Sequence, residues 1–175
     1  MTLEAFKDSL GNFAKDIKLN LGTVLTEDDT TGLSQRQIYG IALASAYSTK
    51  NLNVIKALAE DVAGLVSEEE FNAAKAAATI MAMNNVYYRF VHLVSDKEYG
   101  KMPAKLRMNI IANPGIAKVD FELYCLAVSA INGCGMCIDA HVREVAKAGI
   151  SKAAIQAVIR IAAVIHAAAQ ANVIR

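Results

Sequence analysis

The sequence predicts an all-α protein, a helical bundle that folds as a single compact domain. Apolar residues recur at helical spacing from the start of the chain, where they fall on positions 3, 6, 10, 13 and 17. Alanine is the commonest residue and the 175-residue chain contains only two prolines, a composition that favours helices. No segment shows the alternation of apolar and polar residues that marks a half-buried strand, so we expect no sheet.

The first elements follow from this spacing and from capping motifs. The opening amphipathic helix is predicted over residues 3–17, and a connection that contains two glycines follows over residues 19–32. Ser34 with Gln37 has the form of a capping box, which starts a second helix. That helix is predicted to run to about residue 47, and a third over residues 53–62 is ended by a glycine.

A second capping box, Ser67 with Glu70, opens a long helix that we expect to reach about residue 91. Residues 95–118 hold both prolines and two glycines, so they are predicted to form the main linker, with a short helix around residues 104–111. The expected division of the single domain is therefore an N-terminal helix and connection over 1–33, a first helical repeat over 34–94, a linker over 95–118 and a second repeat over 119–175.

The second repeat is read in the same way. Asp120 is the predicted cap of its first helix, and Asn132-Gly133 is expected to break that helix. A new helix then begins at the cysteines and ends before Gly149, and Ser151 caps the last helix, which reaches about Asn172.

The two halves resemble each other residue by residue. Gln37-Ile38-Tyr39 aligns with Glu122-Leu123-Tyr124, and Ala63-Gly64 aligns with Ala148-Gly149. We infer a duplicated helical unit. In this alignment only the second copy carries a reactive set, because Thr49, Leu52 and Lys56 stand opposite Cys134, Cys137 and His141.

Composition limits the kinds of partner. The formal net charge is +1 and no basic or acidic run is present, so no nucleic-acid partner is indicated. The longest uncharged apolar stretch, Leu123 to Ile138, is shorter than a bilayer span, so we expect no membrane segment. We read the high mean hydropathy of +0.29 as buried subunit surface. The first residues lack the features of a signal peptide, which predicts a cytoplasmic protein.

The strongest chemical motif is Cys134-Gly135-Met136-Cys137 followed by His141. Thiols three residues apart on a helix share one face and can form a disulfide or bind one metal. A helix N-terminus beside Cys134 would stabilise a thiolate, and His141 is placed to deprotonate Cys137. In a reducing compartment such a pair more often cycles or binds metal than forms a permanent disulfide.

Glu122 is the best candidate for a partner of His141. It lies on the preceding helix, which must fold back across the break at Asn132-Gly133, and its neighbours are apolar. A carboxylate that is partly buried needs a partner, and it would orient the imidazole and raise its basicity. The main rival to redox chemistry is a zinc site in an interaction protein, made from Cys134, Cys137, His141 and Glu122.

The remaining candidates have simpler interpretations. Cys125 is expected to be a buried thiol with no catalytic or redox role. We expect His92 at the surface and His166 packed. The methionine and aromatic residues of the long helix are read as core or subunit contact; they are Met81, Met83, Tyr87, Tyr88 and Phe90.

The spacing of Glu122, Cys134, Cys137 and His141 resembles that of the alkyl hydroperoxide reductase D (AhpD) family, within the carboxymuconolactone decarboxylase-like superfamily. The string from Met83 to Arg89, Met-Asn-Asn-Val-Tyr-Tyr-Arg, is similar to that family as well. The resemblance covers essentially the whole chain. It implies an all-helical homotrimer that acts as an antioxidant thiol reductase and a weak alkyl hydroperoxidase, with no bound cofactor.

The same resemblance implies an electron path. Electrons would pass from NADH through dihydrolipoamide dehydrogenase and the dihydrolipoamide of a lipoyl-bearing acyltransferase to the two cysteines, and then to an AhpC-type peroxiredoxin or an organic hydroperoxide. By motif position, Cys137 would form the sulfenic acid and the mixed disulfide with the partner. Cys134 would donate a proton and resolve that disulfide, and Glu122 with His141 would relay protons, through water.

This chain departs from the family at Met136, where the family usually has a histidine. Methionine cannot carry a proton, so we expect slow peroxidase turnover and largely intact dithiol exchange. A further alternative is a lactone decarboxylase, as in the wider superfamily. That chemistry would not need the paired cysteines.

Overall fold

The computed structural model describes residues 1–26 and 31–174, and in these residues it contains nine α-helices, two short 3₁₀ helices and no strand. The predicted all-α class is therefore confirmed. The helices are α1 (Leu3–Ser9), α2 (Lys15–Val24), α3 (Gln35–Thr49), α4 (Leu52–Asp61), α5 (Glu68–Leu93), α6 (Asn109–Ala112), α7 (Lys118–Ile131), α8 (Gly135–Lys147) and α9 (Lys152–Val173). The 3₁₀ helices span Asn12–Ala14 and Lys97–Lys101.

The prediction for the N-terminal region is wrong in one respect. The chain leaves the helix at Leu10, passes through Gly11 in an extended conformation and starts α2 after a 3₁₀ turn. This break lets Phe6 and Leu21 both enter the core, whereas Phe13, which the periodicity placed on the apolar face, is exposed. The expected connection over residues 19–32 is helical up to Val24, and residues 27–30 of it lie outside the described residues.

Each capping box identified in the sequence is present. The side chains of Ser34 and Ser67 accept hydrogen bonds from the backbone of Gln37 and Glu70, and each of those side chains bonds back to the cap. Ser151 caps α9 as predicted. Asp120 is not a cap, because α7 begins two residues earlier and leaves this carboxylate in its first turn.

The linker over residues 95–118 differs from the prediction in two places. It has a helix at its start that was not predicted, and the helix predicted in its middle is shorter. A 3₁₀ helix forms over Lys97–Lys101, and the expected helix over 104–111 is reduced to the single turn of α6. Exposed apolar side chains lie on the end of α5 and on this linker, and the rings of Phe90 and Tyr99 meet edge to face at 5.3 Å. The other members of this exposed set are Val86, Leu93 and Met102.

The two predicted repeats correspond to α3–α4–α5 and α7–α8–α9. Their first helices, α3 and α7, pack against each other, and each also packs against both α5 and α9. α9 is long and apolar enough to cross a membrane, yet it packs against α2, α3, α4 and α7 and buries eleven of its residues. Packing inside the bundle therefore accounts for its composition.

The helix starts change the alignment of the predicted repeats around Cys134. α4 is capped by Asn51 and α8 by Cys134. Matching cap to cap pairs Asn51 with Cys134, so Val54 and Leu58 stand opposite Cys137 and His141. Val54 and Leu58 are buried and apolar, so the first copy uses these positions for packing.

Helices α3 and α7 approach each other closely at Gly40 on α3. A methyl group added there would overlap the hydroxyl end of the Tyr124 ring on α7, which is almost completely buried. This glycine is therefore required by packing, since α3 is helical on both sides of it.

We predict that Gly40→Ala lowers the free energy of unfolding by about 1–3 kcal/mol, the usual cost of overpacking, although alanine is the better helix former. The matched control is Gly22→Ala on α2, where the new methyl would meet only the Lys7 ammonium at 4.0 Å. That variant should gain about 0.5–1 kcal/mol from helix propensity. Urea denaturation of both variants checks the difference, and equal stability changes would contradict the close approach.

Candidate functional site

The site begins where α7 ends. Asn132 closes α7 and Gly133 follows with a φ of +68°, a conformation that glycine adopts without strain. This turn directs the chain into α8 within two residues, as the Asn-Gly pair predicted. The backbone N–H of Cys134 donates to the carbonyl of Ser129 at 3.2 Å, which holds the turn against the end of α7.

Cys134 is the N-cap residue of α8. Its sulfur accepts a hydrogen bond from the backbone N–H of Cys137 at 3.3 Å, as a serine or aspartate oxygen would in the same place. The two cysteines are joined in a disulfide with their Cα atoms 5.3 Å apart. When the disulfide is reduced, the N–H group and the positive end of the helix both favour a thiolate on Cys134.

The two sulfurs differ in access. Cys134 is completely buried, whereas Cys137 has 6% of its surface exposed and borders a cavity. The Cys137 sulfur also lies 4.0 Å from the backbone carbonyl oxygen of Asn84 on α5. Cys137 is therefore the sulfur that a molecule can approach from outside, and Cys134 is the sulfur that the helix stabilises from within.

His141 and Glu122 form a buried pair that joins α8 to α7. The imidazole Nδ1 lies 2.6 Å from Oε2 of Glu122, and the two side chains are 10% and 6% exposed. The imidazole Nε2 lies 3.3 Å from the sulfur of Met81 on α5. A thioether can only accept a hydrogen bond, so Nε2 is the donor in this contact.

Helix α5 braces the turn before Cys134. The Asn85 amide donates to the Ser129 hydroxyl and accepts from the Asn132 amide, both at 3.0 Å. One guanidinium nitrogen of Arg89 donates to the Asn132 carbonyl at 2.7 Å. These bonds hold Asn132, and therefore the beginning of α8, from a third helix.

Cys125 is free and buried, as expected from its apolar neighbours. Burial, and in second place the negative charge of Glu122, raise the pKa of its thiol well above the ordinary value. A raised pKa means that the thiolate is scarce at neutral pH. This thiol is therefore poorly suited to nucleophilic chemistry.

The four residues proposed from the sequence lie at one junction. The zinc alternative would need their donor atoms to converge, but the two sulfurs are bonded to each other and the two ring nitrogens contact Glu122 and Met81. Within residues 1–26 and 31–174, no group of three or more His, Cys, Asp or Glu side chains is arranged to hold a metal ion.

Comparison with known proteins places this junction in a family. The family model described as the carboxymuconolactone decarboxylase family matches residues 97–175, the linker and second repeat. A Coxiella burnetii protein named alkyl hydroperoxide reductase AhpD is 59% identical over 172 residues, which cover 98% of this chain and 97% of the relative. The chain belongs to the AhpD family. Proteins of the same name from Rhodopseudomonas palustris and Hyphomonas neptunium are each 54% identical, over 97% of this chain and 92% and 93% of theirs.

Sequence reasoning missed three residues of this AhpD-family site. The sequence predicts Met81 as core or subunit contact, but its sulfur is also the neighbour of the His141 ring. Asn85 and Arg89 were noted only as part of the Met-Asn-Asn-Val-Tyr-Tyr-Arg string. Their polar character at helical spacing, in a helix otherwise rich in alanine, was the available indication that they face a common partner.

Of the other two histidines, one is placed as predicted and one is not. His92 is exposed, as expected, and it lies over the first turn of α8, where a methyl group added at Gly135 would be 3.4 Å from its ring. The expectation that His166 is packed is wrong. Its side chain is exposed, although Val164, Ile165 and Ala168 on the same helix are buried.

We predict that iodoacetamide labels Cys137 first in reduced native protein, because its sulfur is the accessible one of the pair, and that Cys125 reacts only after unfolding. Its raised pKa moves thiolate formation to higher pH, so labelling of Cys125 should stay low at pH values at which Cys137 is labelled readily. Mass spectrometry of native and unfolded samples gives the counts. The control Cys125→Ala should lose one label in the unfolded sample and none in the native sample, and labelling of Cys125 in native protein at the rate of Cys137 would contradict its burial.

Proposed function

We propose that this protein is an antioxidant thiol–disulfide oxidoreductase with alkyl hydroperoxidase activity, in which Cys134 and Cys137 carry the electrons. The observation that supports this most strongly is that the two sulfurs have different environments. One is accessible and the other is held by a helix N-terminus, which is the arrangement that dithiol exchange needs. The names of the relatives point to the same chemistry.

In the oxidising half-reaction the Cys137 thiolate attacks the terminal oxygen of a hydroperoxide. The S–O bond forms, the O–O bond breaks, and the alkoxide leaves as an alcohol after taking a proton. The Cys137 sulfenic acid then condenses with the Cys134 thiol, which supplies the proton for the departing water. The product is the Cys134–Cys137 disulfide.

In the reducing half-reaction a thiolate of dihydrolipoamide attacks Cys137, because that sulfur is accessible. Cys134 leaves as a thiolate that the helix N-terminus stabilises, and a more stable leaving thiolate departs faster. The second thiol of the donor then releases Cys137, and the lipoyl group closes to its own disulfide. The reduced pair can pass its electrons to an AhpC-type peroxiredoxin by the same exchange in reverse.

Glu122 and His141 form the proton relay. No hydrogen bond in the described part of the chain joins His141 directly to a cysteine sulfur, so the relay runs through water or follows a movement of Met81. Met136 adds no proton carrier next to Cys137. The relay therefore has fewer groups than usual for the family, which favours exchange over peroxide turnover.

The proposed function also includes an electron donor and an oligomeric state. The donor is the dihydrolipoamide of an acyltransferase, kept reduced by dihydrolipoamide dehydrogenase and NADH in the cytoplasm. The protein is proposed to be a homotrimer. The exposed apolar side chains at the end of α5 and on the linker, including Phe90, Leu93 and Tyr99, are suited to subunit contact.

We predict that the thiol count of the unfolded protein cycles between three after dihydrolipoamide and one after cumene hydroperoxide, because only Cys125 stays out of the cycle. Cys137→Ser should abolish turnover, and Cys134→Ser should be nearly as damaging while it accumulates a mixed disulfide with the donor or peroxiredoxin. Thiol titration and mass spectrometry measure both.

Full turnover by Cys137→Ser would refute the role given to that sulfur. Stoichiometric zinc in freshly purified protein, with unfolding by chelator, would favour the zinc alternative instead. An activity on lactones that survives alkylation of both thiols would favour the decarboxylase.

We predict that Glu122→Gln lowers the peroxidase rate by about 10²-fold, within the usual scale for acid–base groups. Glutamine keeps the size of the side chain but removes the charge that supports a protonated imidazole. The rate should be measured against pH, since loss of the relay also changes the profile. Glu144→Gln on α8, where the carboxylate is half-buried and paired with Lys147, is the matched control, and an unchanged rate and profile in Glu122→Gln would remove Glu122 from the mechanism.

A further inference from the structure

The sulfur of Met81 on α5 lies between two N–H donors. The ring nitrogen Nε2 of His141 on α8 approaches it to 3.3 Å, and the side-chain amide nitrogen of Asn85, one turn further along α5, lies 3.9 Å from it. All three residues are buried, and Met81 is only 1% exposed. A methionine that only filled space would not need donors at its sulfur, since its carbon atoms supply packing contacts as well.

This sulfur is the partner of the Nε2–H group of His141. A buried ring N–H needs an acceptor, and in the part of the chain that the structure describes the Met81 sulfur is the acceptor at Nε2. The opposite ring nitrogen, Nδ1, faces the carboxylate of Glu122 at 2.6 Å. The imidazole is therefore held from two helices, by a carboxylate on α7 and by a thioether on α5.

The Asn85 contact connects the same sulfur to the turn before Cys134. The amide nitrogen of Asn85 also donates to the Ser129 hydroxyl at 3.0 Å, and its amide oxygen accepts from the Asn132 side chain at 3.0 Å. The thioether therefore links the buried pair of His141 and Glu122 to the turn that sets the start of α8.

A thioether suits a proton donor that must change partners. Sulfur accepts hydrogen bonds more weakly than oxygen does, so the contact orients the Nε2–H group without binding it tightly. The methionine side chain is also unbranched and adaptable, so it can move aside with little strain. Met81, His141 and Cys137 border the same cavity of about 280 Å³, so such a movement takes place beside the accessible sulfur.

We propose that Met81 is a positioning residue for His141: its sulfur keeps a proton on Nε2 and fixes the ring orientation from which the proton relay works. The proposal rests on the relay function given to His141 and Glu122 above. When the relay protonates the alkoxide that leaves a hydroperoxide, an N–H bond of the imidazole breaks and the O–H bond of the alcohol forms. The proton that the Cys137 thiol gives up on becoming a thiolate restores that N–H bond, so the relay ends the step with the protons that it had before.

The wild-type protein in its disulfide form gives the first test, because nitrogen NMR distinguishes a ring nitrogen that carries a proton from one that does not. His141 should carry a proton on Nε2 that exchanges slowly with solvent. His92 and His166 are exposed and supply the reference for fast exchange. A spectrum in which Nε2 of His141 lacks a proton, or exchanges it as fast as the exposed rings do, would overturn the inference.

Two variants separate the sulfur from the space that it fills. Met81→Leu keeps an apolar side chain of similar size, which cores tolerate well, but removes the acceptor. It should accelerate exchange of the His141 Nε2 proton and lower kcat with cumene hydroperoxide about 10-fold, a part of the usual effect of an acid–base group. KM should stay within about twofold, because the apolar wall beside Cys137 is kept.

Met81→Gln supplies an amide oxygen as a new acceptor on a side chain of similar length, so it should restore slow exchange and most of kcat. Met83→Leu, at a half-buried methionine on the same helix, is the matched control and should change neither exchange nor kcat. Thermal unfolding of each variant checks that it is folded, and the wild-type spectrum decides the inference even where a variant is not.

Unchanged exchange and kcat in folded Met81→Leu would show that another group holds the ring, and would overturn the positioning role. Equal losses in folded Met81→Leu and Met81→Gln would also overturn it, because the shape of the side chain rather than its acceptor would then matter. If the wild-type protein turns over neither hydroperoxide nor dihydrolipoamide, the proposed function fails. The exchange comparison still decides in that case whether Met81 holds His141.

Discussion

The chemistry of this molecule depends on where α8 begins. The Asn132-Gly133 turn makes Cys134 the N-cap of that helix, and the Cys137 N–H then points at the Cys134 sulfur. A start one residue earlier or later would move the sulfur off the cap and rotate Cys137 away from the cavity. Helix α5 prevents this shift, since Asn85 and Arg89 bind both the side chain and the carbonyl of Asn132.

The buried pair of Glu122 and His141 shows that stability alone did not select this junction. Removing two ionisable groups from water costs more than their attraction usually returns, and apolar residues of similar size are often at least as stable. The first repeat has an apolar residue instead, because buried Leu58 stands at the place that matches His141. The pair does tie α7 to α8, but two apolar side chains could do so as well. In the proposed mechanism the pair instead relays protons for the thiol chemistry of Cys137.

Much of this arrangement could be predicted from the sequence because it is encoded locally. Caps at Ser34, Ser67 and Ser151 depend on residues three positions apart, and the reversal at Asn132-Gly133 needs only two residues. The break at Gly11 was missed, since one glycine in an apolar helical pattern does not tell which face the next turn will bury. The contacts of Met81 and Asn85 were missed for another reason: they depend on the packing of α5 across α7 and α8, and helical spacing does not set that angle.

The residues that cap α4 and α8 differ in chemistry, although the two helices hold matching places in the predicted repeats. Asn51 caps α4 with an oxygen that accepts from two backbone N–H groups, and asparagine is among the best residues for this position. Cys134 caps α8 with a single bond to a sulfur, which is a weaker acceptor. A cap of oxygen would hold α8 more firmly, but it could not become a leaving group in disulfide exchange. In the proposed mechanism the matching helix ends serve folding in α4 and thiolate stabilisation in α8, so a bundle with two similar halves carries a single reactive site.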